Sequence, residues 1–111
     1  MEDSNPKPEV DEVYTLLSER RRRAALEFLG SNGGSAPISE LASHLSEHVV
    51  GVSETERRVR LQLYHVDIPK LKATNMAEFD TEDAYVTLTR RGKWLDRVRR
   101  ETDEIIKQEA A

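Results

Sequence analysis

The sequence predicts a mainly α-helical domain with one small β-hairpin and a trailing C-terminal amphipathic helix. Three observations lead there. Apolar residues recur at helical spacing through the first two thirds of the chain, beginning with Val10, Val13, Tyr14 and Leu17. A short alternating segment follows, in which Phe79, Val86 and Leu88 share one face on either side of the polar tip Thr81-Glu82-Asp83. From Arg90 the pattern turns helical again, with Leu95, Val98, Thr102 and Ile105 stepping by three, four and three.

Each element has a local cause. Residues 1–8 are polar, contain two prolines, and are expected to form a disordered tail. The first helix is the stripe from Val10 to Leu17. Ser18 is the expected N-cap of a second helix over 19–30, burying Ala25, Leu26, Phe28 and Leu29. Gly30 to Gly34 close it with a loop. Ala36-Pro37-Ile38 reads as a minimal extended segment, after which Ser39 caps a third helix over 40–48 that buries Leu41, Ala42, Leu45 and Val49; Gly51 breaks it. Ser53 and Glu56 make an S-x-x-E capping box, so a fourth helix is expected from Ser53 to about Asp67. Pro69 lacks a backbone donor, which predicts a kink or a fresh turn through Lys70–Thr74. Helix, turn, arginine-bearing helix and hairpin, in that order, is the order of a winged helix-turn-helix. The expected organisation is therefore a tail over 1–8, a winged helix-turn-helix domain over 9–90, and a C-terminal helix over 91–111.

Composition narrows the function. The chain has 111 residues and no cysteine, which removes disulfides, zinc fingers and thiol chemistry together. It has no apolar run near the ~20 residues that span a bilayer, so a cytoplasmic location is expected. The net charge of −4 is unevenly spread. Residues 1–19 hold six acids and one lysine, and residues 101–111 hold four acids and one lysine. Residues 20–100 hold fifteen bases against eleven acids, so the body is mildly basic and suits a nucleic-acid partner better than the total suggests. Arginine outnumbers lysine twelve to five while acids exceed bases, a balance that fits a salt-adapted cytoplasm, though thermophily or GC-rich codon usage would also favour arginine.

The fourth helix carries the functional expectation. On a helical wheel Arg58, Gln62 and His65 share a polar face, with Glu54 and Thr55 at its start and Arg57 beside it. Arginine binds guanine bidentately, glutamine pairs with adenine, and further arginines neutralise phosphates. Thr55, Arg57, Arg58, Gln62 and His65 are thus the expected DNA contacts, with Arg90 and Arg91 on phosphates at the base of the hairpin. The hairpin argues the other way, because Glu78, Asp80, Glu82 and Asp83 put four carboxylates on it. The run Arg20–Arg23 sits at a helix start, where cations oppose the helix dipole. Some of these arginines should be pinned to neighbouring helices, with Glu19 and Glu27 as available partners.

His44 and His48 have the i, i+4 spacing of metal ligands but no third ligand in reach, and read as surface residues. No nucleophile–base pair or phosphate loop stands out, so neither an enzyme nor a cofactor is expected. In the last helix Arg97–Glu101, Arg99–Asp103 and Arg100–Glu104 are spaced as i, i+4 pairs. Its basic first half and acidic second half suit an antiparallel homodimer through Leu95, Val98, Thr102 and Ile105. Alternatively, Trp94, Leu95 and Val98 dock on the first helix of the same chain.

Two segments carry a family likeness. Leu17-Ser18-Glu19-Arg20-Arg21-Arg22-Arg23, followed by an aliphatic helix, resembles the opening of small archaeal winged-helix regulators. Leu63-Tyr64-His65-Val66-Asp67-Ile68-Pro69-Lys70-Leu71 is similar to a leucine-tyrosine-histidine-valine-histidine-leucine-proline-lysine-leucine segment found in a haloarchaeal winged-helix domain family of unknown function. The likeness covers roughly 11–90. His65, Pro69, Lys70 and Leu71 match, and Asp67 stands where the family has its second histidine. The resemblance implies a transcription-regulator-like role with no named target, and makes the Pro69 kink part of the fold with Leu71 beneath it. The expected function is a winged-helix DNA-binding transcriptional regulator. The alternative is a protein–protein interaction module of the same fold that does not bind DNA.

Overall fold

Alternation and turn chemistry produce the hairpin, but a third segment completes the sheet. The computed structural model describes residues 9–49 and 55–110. In it β2 (Ala77–Asp80) pairs antiparallel with β3 (Tyr85–Leu88), and β1 (Ser35–Pro37) adds to the other side of β3. The order is β1-β3-β2, with Ala36 opposite Val86 and Phe79 opposite Val86 on the far side. The extended segment expected near Ala36 is therefore a strand of a small three-stranded sheet. Around it lie the helices α1 (Val10–Leu17), α2 (Arg20–Ser31), α3 (Ile38–His48), α4 (Glu56–Gln62), α5 (Ile68–Ala73) and α6 (Arg90–Ala110). The architecture is mainly helical, as the sequence predicts.

Helix ends depart from expectation where a tertiary partner replaces a local cap. Ser18 closes α1, its Oγ donating to the Thr15 carbonyl, and Glu19 caps α2 by accepting from the Arg21 N–H at 3.3 Å. Helix α3 starts one residue before Ser39, with Pro37 at the cap position. The Ile38 N–H there donates to the Ala84 carbonyl at 2.8 Å, so the hairpin does the work of a capping side chain. Gly33 and Gly34 both have positive φ, and Gly34 ties α2 to the sheet: its N–H donates to the Leu29 carbonyl and its carbonyl accepts from the Leu88 N–H. The expected tail over 1–8, the break at Gly51 and the start at Ser53 lie outside the described residues.

The apolar face of α1 is rotated from the expected stripe. Leu16 is buried, whereas Val10 and Tyr14 are 65% and 68% exposed. An eight-residue helix that turns into α2 at Ser18 brings only its C-terminal end to the core.

Between α4 and α5 the chain does not break at Pro69. It widens one turn earlier, in a π turn over Leu63–Asp67 where the Ile68 N–H reaches the Leu63 carbonyl. Proline has no N–H for the carbonyl four residues back, that of His65, and its ring crowds it; a wider turn relieves both. The π turn also aligns the buried stripe. Val59, Leu63, Asp67 and Leu71 are all buried, spaced by four throughout. In a regular α-helix such steps overshoot by roughly 40° each, and the extra residue of a π turn takes up the drift.

The residues at the centre of the core include Leu26, Leu29, Leu41, Leu45, Met76 and Val86. Leu95 joins them, because the first half of α6 packs on α2 and the sheet. The core thus continues past the boundary expected at residue 90. Thr89 starts α6 by accepting from the Gly92 N–H, while its own N–H donates to the Met76 carbonyl. That carbonyl lies only 1.9 Å from where a Cβ on Gly92 would be. In an open helix interior glycine-to-alanine gains about 1 kcal/mol. Here Gly92→Ala should instead lower stability by roughly 2 kcal/mol or more, since the obstacle is backbone. Denaturant titration of the variant against wild type measures it.

Candidate nucleic-acid interface

Helix α4 packs on α3 and buries Val59, which decides what it turns outward. Thr55 caps it, its Oγ1 accepting from the Arg58 N–H at 3.2 Å. The exposed stripe is Arg57, Arg58, Leu61, Tyr64 and His65, with Val66 also exposed. Five of the expected contacts fall on α4, its cap and the π turn that follows, and four of them face solvent: Thr55, Arg57, Arg58 and His65. Gln62 is the exception. It is half-buried and its Oε1 accepts from Arg21 Nη1, so it faces α2. Leu61, 48% exposed, and Tyr64, 41% exposed, occupy the middle of the outward stripe in its place.

Behind the stripe lies a buried charge cluster. Asp67 is fully buried and receives two guanidinium groups. Arg21 Nε contacts Oδ2 and its Nη2 lies 3.4 Å from Oδ1; Arg22 Nη1 lies 3.1 Å from Oδ1. Arg22, also buried, spends its remaining donors on the C-terminal carbonyls of α1, with Nε to Leu16 at 3.0 Å and Nη2 to Thr15 at 2.9 Å. Arg23 Nη1 donates to the Leu17 carbonyl at 2.7 Å. Glu19 stands 3.8 Å from Arg21 and supplies the second negative charge. The arginine run therefore satisfies the orphan carbonyls of one helix end and the carboxylate of the π turn together. Of the two partners the sequence offered, Glu19 is used, but Asp67, more than forty residues away, is the main one. Its signal was an acid inside an otherwise apolar stripe, four residues after Leu63 and four before Leu71.

The hairpin lies beside the π turn and α5. Phe79 meets Tyr64 edge-on, with ring centroids 5.2 Å apart and planes at 80°. A groove of about 520 Å³ runs between them along Ile68 and Pro69. Asp80 builds the hairpin tip, its Oδ1 accepting from the Glu82 N–H at 2.9 Å and the Asp83 N–H at 3.3 Å. Glu78, Glu82 and Asp83 are exposed. Arg90 is exposed and Arg91 half-buried at the start of α6, which packs on α2 and β3 rather than on α4. These two arginines are therefore a separate cationic point at the hairpin base. His44 is half-buried, stacked between Phe28 at 4.6 Å and His48 at 4.9 Å, so it is a packing residue more than a surface one.

Of the four residues expected at a dimer interface, Leu95 is fully buried within its own chain and faces the core. Val98 is half-buried, and Thr102 and Ile105 are exposed. The ion pairs of α6 are also partly rearranged. Arg99 bridges Asp96 and Asp103 at 2.9 Å each, and Arg100 turns back to Asp96 at 3.6 Å. Asp96 is buried and sits against Gly30 of α2, where a Cβ would lie 2.2 Å from its Oδ2. Helix α6 thus docks on the second helix, not the first.

A family model described as "Domain of unknown function (DUF7344)" matches residues 14–87. The chain belongs to that family. The matched span runs from within α1 through most of β3 and contains the whole Arg21–Arg22–Asp67 cluster; α6 lies beyond it. Neither the curated proteins nor the solved structures contain a match to this chain.

Removing the Asp67 carboxylate takes the counter-charge from buried Arg22 and leaves half-buried Arg21 with Glu19 as its acidic partner. Asp67→Asn should therefore cost about 3–5 kcal/mol. Glu19→Gln, on a partly exposed partner, should cost about 1 kcal/mol or less. Urea unfolding of both variants, read by circular dichroism, makes the comparison.

Proposed function

We propose that this chain is a winged helix-turn-helix DNA-binding transcriptional regulator that works as a homodimer and reads DNA with the outward stripe of α4. The observation that carries the proposal is that stripe: Arg57, Arg58 and His65 exposed on a helix whose opposite side is locked to α3. The order α2, β1, α3, α4–α5, β2, β3, with β3 central in the sheet, supports a fold that presents such a helix to the major groove. Arg57 and Arg58 then serve guanine edges or phosphates, and Arg90 a phosphate near the hairpin base. Gln62 has a supporting role, joining α4 to Arg21.

A second reading is favoured by a specific observation. Leu61 and Tyr64 lie on the same stripe, next to the Phe79 groove and the carboxylates of the hairpin. An apolar patch beside an acidic rim suits a protein partner better than a phosphate backbone. On that reading the fold is kept and DNA binding is absent.

Binding to genomic DNA fragments across a salt series separates the two. A reader should lose affinity with rising salt, and Arg57→Ala or Arg58→Ala should each weaken binding and reduce the salt slope by about one. Glu82→Lys should strengthen binding if the hairpin tip approaches the backbone. Wild type and arginine variants that bind equally weakly at every salt would favour the interaction module.

A further inference from the structure

From Glu104 to Ala110 every residue of α6 is exposed. At roughly 1.5 Å per residue the whole of α6 spans roughly 31 Å. Its core-facing side is Gly92, Leu95, Asp96 and Arg99, and burial ends there apart from half-buried Asp103. Farther on, Ile105 and Ile106 are 66% and 60% exposed. A second stripe runs beside the core-facing one: Trp94 and Val98, half-buried, then Thr102 and Ile105, exposed. This stripe begins at the rim of the core and continues onto the projecting turns.

The charges beside the stripe are unevenly divided. Residues 90–100 hold six bases and one acid, and residues 101–110 hold four acids and one base. Within the chain, Arg100 is drawn back to Asp96 and Arg99 to Asp96 and Asp103. Arg97, Glu101 and Glu104 are exposed and form no ion pair among the described residues. A helix with one basic and one acidic half, and an apolar stripe across the junction, is complementary to itself when reversed.

We propose that the distal half of α6 pairs antiparallel with α6 of a second copy, with Thr102 near the twofold axis. Ile105 of each helix then lies against the partner's Val98, and the basic half of each helix runs beside the acidic half of its partner. Leu95, which the sequence pattern put in this seam, stays in its own core. The inference deepens the homodimer part of the proposed function and stands without its DNA-binding part. Thr102, small and polar, lets the helices approach closely at the crossing.

The absence of cysteine makes a direct test possible in the full-length protein. A disulfide needs Cα atoms within about 7 Å. Oxidised Thr102→Cys should therefore cross-link to a covalent dimer, while oxidised Glu109→Cys should not, because antiparallel helices carry that position to opposite ends. Sedimentation equilibrium should show a wild-type dimer whose dissociation constant rises roughly tenfold or more in Ile105→Glu, a change at an exposed position. Arg97→Glu and Glu104→Arg should each weaken the dimer, and the two together should restore it. The proposal fails if wild type is monomeric, if position 109 cross-links as well as 102, if neither does, or if Ile105→Glu leaves the dimer unchanged. DNA affinity is not the readout, so failure here is distinct from failure of the DNA reading.

Discussion

Asp67 places a buried carboxylate at the meeting point of three helices, and the surrounding chain is arranged so that this group is answered. Two consecutive arginines reach it from α2. One of them continues to the end carbonyls of α1, and the other reaches Gln62 on α4. A lone buried carboxylate would be prohibitively costly, and two guanidinium groups at a helix start would oppose its dipole. Together, with Glu19 as second acid, the groups compensate one another. The cluster is a specifying device: apolar packing alone would allow α1 and α4 to slide on α2, whereas forked hydrogen bonds hold one arrangement.

The π turn is the backbone side of the same constraint. Asp67 reaches the arginines only because the chain widens over Leu63–Asp67, and it widens there because Pro69 follows. Arg21, held at Asp67, also draws Gln62 inward, while Leu61 and Tyr64 stay in the open. A feature of the core thus determines the chemistry of the exposed face on the other side of the helix.

Much of this was legible in the residues, and the parts that were not share a physical reason. The apolar repeats placed the helices, and the alternation about Thr81-Glu82-Asp83 placed the hairpin, because both signals are local. Ala36 was recognised as extended but not as a strand, since its partner Val86 lies far along the chain. The caps at Ser18 and Ser39 went elsewhere because Glu19 and the Ala84 carbonyl serve those helix starts. On the candidate surface a regular wheel put Gln62 among the contacts. It could not foresee an arginine from α2 that claims the glutamine. Leu95 fits a heptad and also fits the core, and spacing alone does not choose between them.

The pairing of β1 with β3 has a kinetic meaning. Ser35 and Thr87 face each other across the sheet, with α3, α4, α5 and β2 between them in the chain. That sheet cannot form from a partial chain, and the first N–H of α3 finds its acceptor only when Ala84 arrives. Loop closure over such a span must come before the contacts that reward it. Closing the three-stranded sheet therefore waits until the chain through β3 is in place.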